Sequence, residues 1–163
     1  MAYPIEKIRN VCLLGHGGDG KTSLLESLLY RTGGTDRLGK VADGTTVSDY
    51  DPEEIKRQIS IQASLAPVEY EGHVLNFIDT PGFFDFDGEV AQAMRVADCG
   101  VIVVTAKSGC AVGTEKAFKR LSKAGLPGSS PSPRSTRKTP IMKRPTTACG
   151  MPSASASRPS SSP

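Results

Sequence analysis

The stretch from Val11 to Ser23, VCLLGHGGDGKTS, restricts this chain more than any other part of it. An apolar run ends at Gly15, and Gly20, Lys21 and Thr22 follow at the spacing G-x-x-x-x-G-K-[ST], the phosphate loop that joins a strand to a helix. Glycines let the backbone curl until successive N–H groups point inward at phosphate oxygens, where a Cβ would obstruct. Lys21 adds a point charge, and Thr22 offers a hydroxyl to Mg²⁺. Ile8 to Leu14 predicts the strand. Lys21 to Arg31, with Leu24, Leu25, Leu28 and Leu29 on one face, predicts the helix, whose N-terminus then faces the phosphates. A glycine-rich turn without a ligand is the competing reading, and motif and context together weigh against it.

Beyond the first helix, Thr32 to Ser60 is polar, turn-rich and too long for an ordinary connection. Loops of this length beside a phosphate loop are often switches ordered by a γ-phosphate and its Mg²⁺. Ile61 to Tyr70 and His73 to Asp79, turning at Glu71 and Gly72, predict a hairpin. The run Asp79, Thr80, Pro81, Gly82 closes the second strand. There an acid can hold the Mg²⁺ shell through water, and a flexible glycine lets a backbone N–H reach the γ-phosphate. Asp87 to Ala97 predicts a helix, Gly100 to Ala106 a buried parallel strand from its β-branched run, and Thr114 to Ala124 another helix. Leu126 and Pro127 lead toward a further strand that the residues after them do not supply.

Composition changes at that point. All 17 acidic residues and all nine aromatics precede residue 128; residues 128–163 hold ten Ser, seven Pro and six basic residues. The whole chain has 20 basic residues against 17 acidic, a net +3, and without those six the balance is 14 against 17, or −3 for residues 1–127. The basic character therefore belongs to the end of the chain. Two origins stay open for it: a disordered basic Ser/Pro-rich tail, able to touch RNA phosphates, or a shift of reading frame after Pro127, which is favoured because the change falls where a strand is due. Cys12, Cys99, Cys110 and Cys149 lack paired metal spacing and read as small core residues of a reducing compartment. No secretory signal and no apolar run of membrane-spanning length is present, so the expected location is cytoplasmic, with no membrane partner.

These residues resemble the translational GTPases, and within them elongation factor G and its close relatives, including ribosomal protection proteins. The resemblance rests on GHGGDGKTS, SDYDPEEIKRQISI, NFIDTPGFFDF and the run from RVADCGVIVVTA through SGCAVGTEKAF, and it covers residues 5–127 without a gap. It implies GTP or GDP with Mg²⁺, the ribosome as partner and no sequence-specific nucleic-acid binding. Nucleotide contacts are implied for Gly15, His16, Gly17, Gly18, Asp19, Gly20, Lys21, Thr22, Ser23, Asp79, Thr80, Pro81 and Gly82. Mg²⁺ would be served by Thr22, by Ser60 (where the family usually has a switch Thr) and by Asp79 in the outer shell.

Three departures bear on activity. Phe83 stands where the family commonly has the His that orients the attacking water, and it can neither donate nor accept a hydrogen bond. The acid of the phosphate loop is Asp19 rather than a residue at position 18. No NKxD motif is present to read guanine. No catalytic residue is therefore assigned, and a working GTPase, a nucleotide-binding module without turnover and a non-functional fragment all remain as readings. The expected fold is an α/β phosphate-loop GTPase domain with a mostly parallel sheet, spanning residues 1–127 and truncated before its last strands, followed by a disordered tail over 128–163. The Val101 to Val104 strand would then be an exposed edge.

Overall fold

The computed structural model describes residues 3–107, 109–131 and 142–143. Its sheet is ordered β2-β3-β1-β4-β5-β6, and β1 (Ile8–Leu14) lies inside it, parallel to both β3 (His73–Asp79) and β4 (Cys99–Ile102). Alternate side chains of β1 enter two separate cores, which is why its apolar run is unbroken rather than alternating. Val11 and Leu13 pack with Leu25 and Leu29 of α1 (Lys21–Arg31), while Cys12 and Leu14 pack with Val90 and Ala93 of α3 (Asp87–Val96) and with Ala117 and Leu121 of α4 (Val112–Ala124).

The hairpin pairs β2 (Ser64–Tyr70) antiparallel with β3. As an edge strand β2 alternates, with Ser64, Ala66 and Val68 buried and Leu65, Pro67 and Glu69 exposed, and Pro67 is tolerated because an edge strand can spare a donor. Its start at Ser64, three residues later than expected, leaves Ile61 to Ala63 as connecting chain. The β4 strand is also shorter than predicted, although the Val103 N–H still bonds the Leu14 carbonyl at 2.7 Å.

The segment between α1 and β2 is more structured than its composition suggests. A 3₁₀ turn forms at Val41–Asp43 and a helix, α2, at Pro52–Arg57. The Asp51 side chain accepts the Glu53 N–H at 2.8 Å, Glu54 reaches back to the Asp51 N–H, and Pro52 occupies the first turn; this is a capping box.

A further strand does form. β5 (Gly128–Pro131) runs parallel to β4, pairing Gly100 with Gly128 and Val101 with Ser129, and β6 (Met142–Lys143) pairs antiparallel with β5. Val101, Ile102 and Val103 are accordingly buried, which overturns the exposed-edge expectation. Backbone pairing does not need β-branched side chains, and the Leu126 N–H, bonded to the Leu121 carbonyl, brings the chain from α4 back onto the sheet. Cys12 is buried and Cys99 half-buried, as expected of core thiols, but Cys110 is exposed in the loop before α4. Cys149 and most of the Ser/Pro-rich segment lie outside the described residues.

Candidate functional site

The end of β1, the N-terminus of α1 and the end of β3 meet at one edge of the sheet, and a cleft of about 210 Å³ opens there. Its walls include Gly17, Gly18, Gly20, Lys21, Thr22 and Ser23 from the loop, Gly82 and Phe83 after β3, and Asp49 and Ser60 from the segment before β2. Gly20 caps α1 with φ 86°, a left-handed conformation that glycine adopts without strain. Helix N–H groups thereby face the cleft.

Lys21 is 5% exposed, and its ammonium donates to the His16 carbonyl at 3.0 Å and the Gly15 carbonyl at 3.4 Å. Burial pulls its pKa down, against the opposing charges of Asp79, Asp19 and Asp49. The Thr22 hydroxyl donates to Asp79 Oδ2 at 2.7 Å, so in the 3.2 Å contact between Thr22 and Ser60 the Ser60 hydroxyl is the donor. Asp79 itself is 1% exposed, and its Oδ1 is buried without a hydrogen-bond partner. Burial pushes its carboxyl up to about 6, with the Thr22 hydroxyl and Lys21 pulling the other way and Asp49 adding to the rise.

The other expected residues divide between wall and frame. The Asp19 carboxylate is buried and holds the loop from within, accepting the His16 N–H at 3.1 Å and the Thr105 hydroxyl at 3.3 Å. His16 faces away from the cleft, its ring 6.2 Å from that of Phe84 and its backbone against Gly113 of α4. The Thr80 hydroxyl is fully buried and donates to the Leu13 carbonyl at 2.5 Å. Gly15, Thr80 and Pro81 border a smaller crevice toward α3 and α4 rather than the cleft. Gly82 is where the two loops come closest: a Cβ there would lie 2.5 Å from Lys21 Nζ and 2.6 Å from the Gly17 nitrogen. Phe83 lies against Gly17, whose own Cβ would meet the Phe83 ring at 2.9 Å.

Asp49 was not among the expected site residues. It is 4% exposed, lines the cleft opposite Lys21, and has its pKa raised by burial first and next lowered by the Ser60 hydroxyl, with Glu54 and Glu26 raising it further. Its only sequence signal is its place in SDYDPEEI, inside a run that composition alone marks as loop. Two hydroxyls and two carboxylates therefore converge, one carboxylate oxygen being buried and unmatched. This is a hard-oxygen donor set of the kind Mg²⁺ takes when phosphates and waters complete its shell, so these residues fit that ion. Among the described residues no three His, Cys, Asp or Glu side chains gather as a metal site by themselves.

Comparison with known proteins agrees with this geometry. The family model of the elongation factor Tu GTP binding domain matches residues 6–129. The elongation factor G-like protein of Mycobacterium tuberculosis is 41% identical over 120 residues, which is 74% of this chain and 17% of that protein. Elongation factor G 2 of Streptomyces coelicolor is 41% identical over 124 residues, 76% of this chain and 18% of its own length. A crystal structure of a Thermus thermophilus protein superposes with a TM-score of 0.74 at 42% identity, covering 76% of this chain and 19% of that one. The chain thus spans less than a fifth of the relatives it matches. With the phosphate-loop fold, the residues lining its cleft and a family match over residues 6–129, the chain belongs to the elongation factor Tu GTP-binding-domain family.

Proposed function

We propose that this chain binds GTP and GDP with Mg²⁺ in the cleft beside α1, as the nucleotide-binding part of a translation factor that works on the ribosome in the cytoplasm. The observation that carries the proposal is the convergence of Lys21, Thr22, Ser60 and Asp79 at the N-terminus of α1, with a buried carboxylate oxygen left unmatched.

Each group has a task in that reading. Backbone N–H groups from Gly17 to Thr22 receive phosphate oxygens at the helix N-terminus. Lys21 exchanges its carbonyl partners for phosphate, a charge-assisted bond stronger than the neutral ones it leaves. Asp79 holds the Thr22 proton at Oδ2, which turns the hydroxyl lone pairs toward the cleft. Asp49 and Ser60 bring further oxygens from the opposite wall. Mg²⁺, when bound, draws charge from the β- and γ-phosphoryl oxygens. Gly82, packed against Gly17, places its backbone where a γ-phosphate would end.

Turnover is a separate matter. The Phe83 ring lies over Gly17 at the mouth of the cleft and has no hydrogen-bonding atom to orient a water. This observation favours a second reading, nucleotide binding with little hydrolysis. Titration with GTP, GDP and ATP separates the possibilities: saturable, Mg²⁺-dependent binding of guanine nucleotides with ATP excluded is expected. Equal affinity for ATP would contradict the guanine assignment, and no binding at all would contradict both readings. Ribosome-stimulated hydrolysis should rise about 10²- to 10⁴-fold in Phe83→His, the range for a well-placed general acid–base group. An unchanged rate would mean that another group positions the water.

A further inference from the structure

Asp49 and Ser60 reach the cleft from a segment that would otherwise have little reason to stay there, and two buried carboxylates hold it. Glu26 lies on α1, 1% exposed, and accepts main-chain N–H groups from two distant points: Val47 at 2.6 Å on Oε1 and Gly39 at 3.2 Å on Oε2. Glu54 lies on α2, 2% exposed, and accepts Ile61 at 2.8 Å and Gln62 at 3.0 Å on Oε1, with Asp51 at 3.3 Å on Oε2. Val47 is two residues before Asp49, and Ile61 directly follows Ser60. Each tie is thus placed beside one of the two groups it would aim. Gly39 is shaped to the arrangement, since a Cβ there would lie 2.4 Å from Glu26 Oε2 and 2.6 Å from the Thr45 carbonyl.

We infer that Glu26 is a positioning residue that latches segment 39–62 onto α1, so that Asp49 and Ser60 stand over the nucleotide cleft before any nucleotide arrives. Glu54 acts as the second, weaker tie. The inference rests on the nucleotide reading only for its effect on Mg²⁺; the latch itself is a property of the free chain. A carboxylate accepts on both oxygens, whereas an amide accepts on one. Glu26→Gln therefore keeps either the Gly39 or the Val47 bond and must release the other. Glu54→Gln can keep Ile61 and Gln62 on its single carbonyl oxygen and loses only Asp51. The two equivalent substitutions should thus differ in kind.

The test is amide hydrogen exchange on the nucleotide-free full chain, followed by GDP titration with and without Mg²⁺. In Glu26→Gln, Gly39 or Val47 should exchange at least tenfold faster while the amides of α1 keep their protection. GDP affinity measured in EDTA should stay at the parent value, and the Mg²⁺ concentration that gives half-maximal tightening should rise about tenfold, or about 1.4 kcal/mol. General damage to the fold would move the EDTA affinity as well. Unchanged exchange at both amides overturns the latch, as does an unchanged Mg²⁺ requirement in a chain whose parent binds GDP. A parent that binds no GDP contradicts the proposed function, and the exchange result then decides the latch alone. If Glu26→Gln loses protection throughout α1, Glu54→Gln decides it: loss of protection at Asp51 alone supports the two-tie arrangement, and loss at Ile61 and Gln62 contradicts it.

Discussion

Asp79 is the side chain on which the site's electrostatics turn. It is fully buried, bonded through Oδ2 to Thr22 and unmatched at Oδ1, and burial lifts its carboxyl from 3.8 to about 6. A carboxyl whose folded pKa exceeds its unfolded one makes the folded chain bind more protons in between, so this group's stability contribution falls as pH rises from about 4 to about 6. Above that window the ionised form costs on the order of 2–3 kcal/mol. Asp79→Asn should therefore raise the melting temperature of the Mg²⁺-free chain near neutral pH and flatten its pH dependence below, while weakening Mg²⁺-dependent nucleotide binding. Thermal unfolding across that pH range checks it, and a lower melting temperature at neutral pH would mean that the ionised carboxylate is well compensated. Asp79, Lys21 and Thr22 were legible in the sequence because their motifs are local, fixed by short spacings at the ends of a strand and a helix. Asp49 was not, because its place depends on hydrogen bonds between residues 8 to 21 positions apart, and no short spacing encodes those.

Among the elements, β1 and α1 were readable to their last residues, since the apolar run and the leucine face each have a definite period. The α2 helix was legible in principle: Asp51, Pro52 and Glu54 carry an N-cap, a first-turn proline and a capping-box acid. Its six residues are too few to show an apolar face, so the surrounding loop composition dominated. β5 left no such trace, because Gly128, Ser129, Ser130 and Pro131 have no strand preference and the strand is set by the pairing β4 offers. The fit of α4 over that pair is tight. A Cβ on Gly100 would lie 2.5 Å from Leu121 Cδ2, so Gly100→Val should cost about 1–3 kcal/mol through overpacking. Leu121→Ala alone should cost about 2–5 kcal/mol, and the double variant less than the sum, because the small side chain vacates the space the valine needs. Chemical denaturation of the three variants measures this, and strict additivity would show that Gly100 and Leu121 are not in contact.

For the whole molecule, the fold class and most of its core could be read from residues 1–127, and the mildly acidic balance of that part keeps the basic residues of 128–163 distinct from it. The likeness to elongation factor G-like proteins extends over about three quarters of this chain and less than a fifth of theirs, so what it supports is a nucleotide-binding unit and not the larger machine. Among the described residues no helix is long and apolar enough to cross a membrane. Everything proposed for the chain depends on phosphates binding at the Gly15 to Ser23 loop, and calorimetric titration of GDP with Mg²⁺ into the parent and Lys21→Ala chains reaches that point directly. The parent should bind one GDP per chain, and the variant should bind about 10- to 150-fold more weakly, the equivalent of about 1.5–3 kcal/mol for a charge-assisted bond. Equal affinity in the two chains would contradict the phosphate-loop assignment.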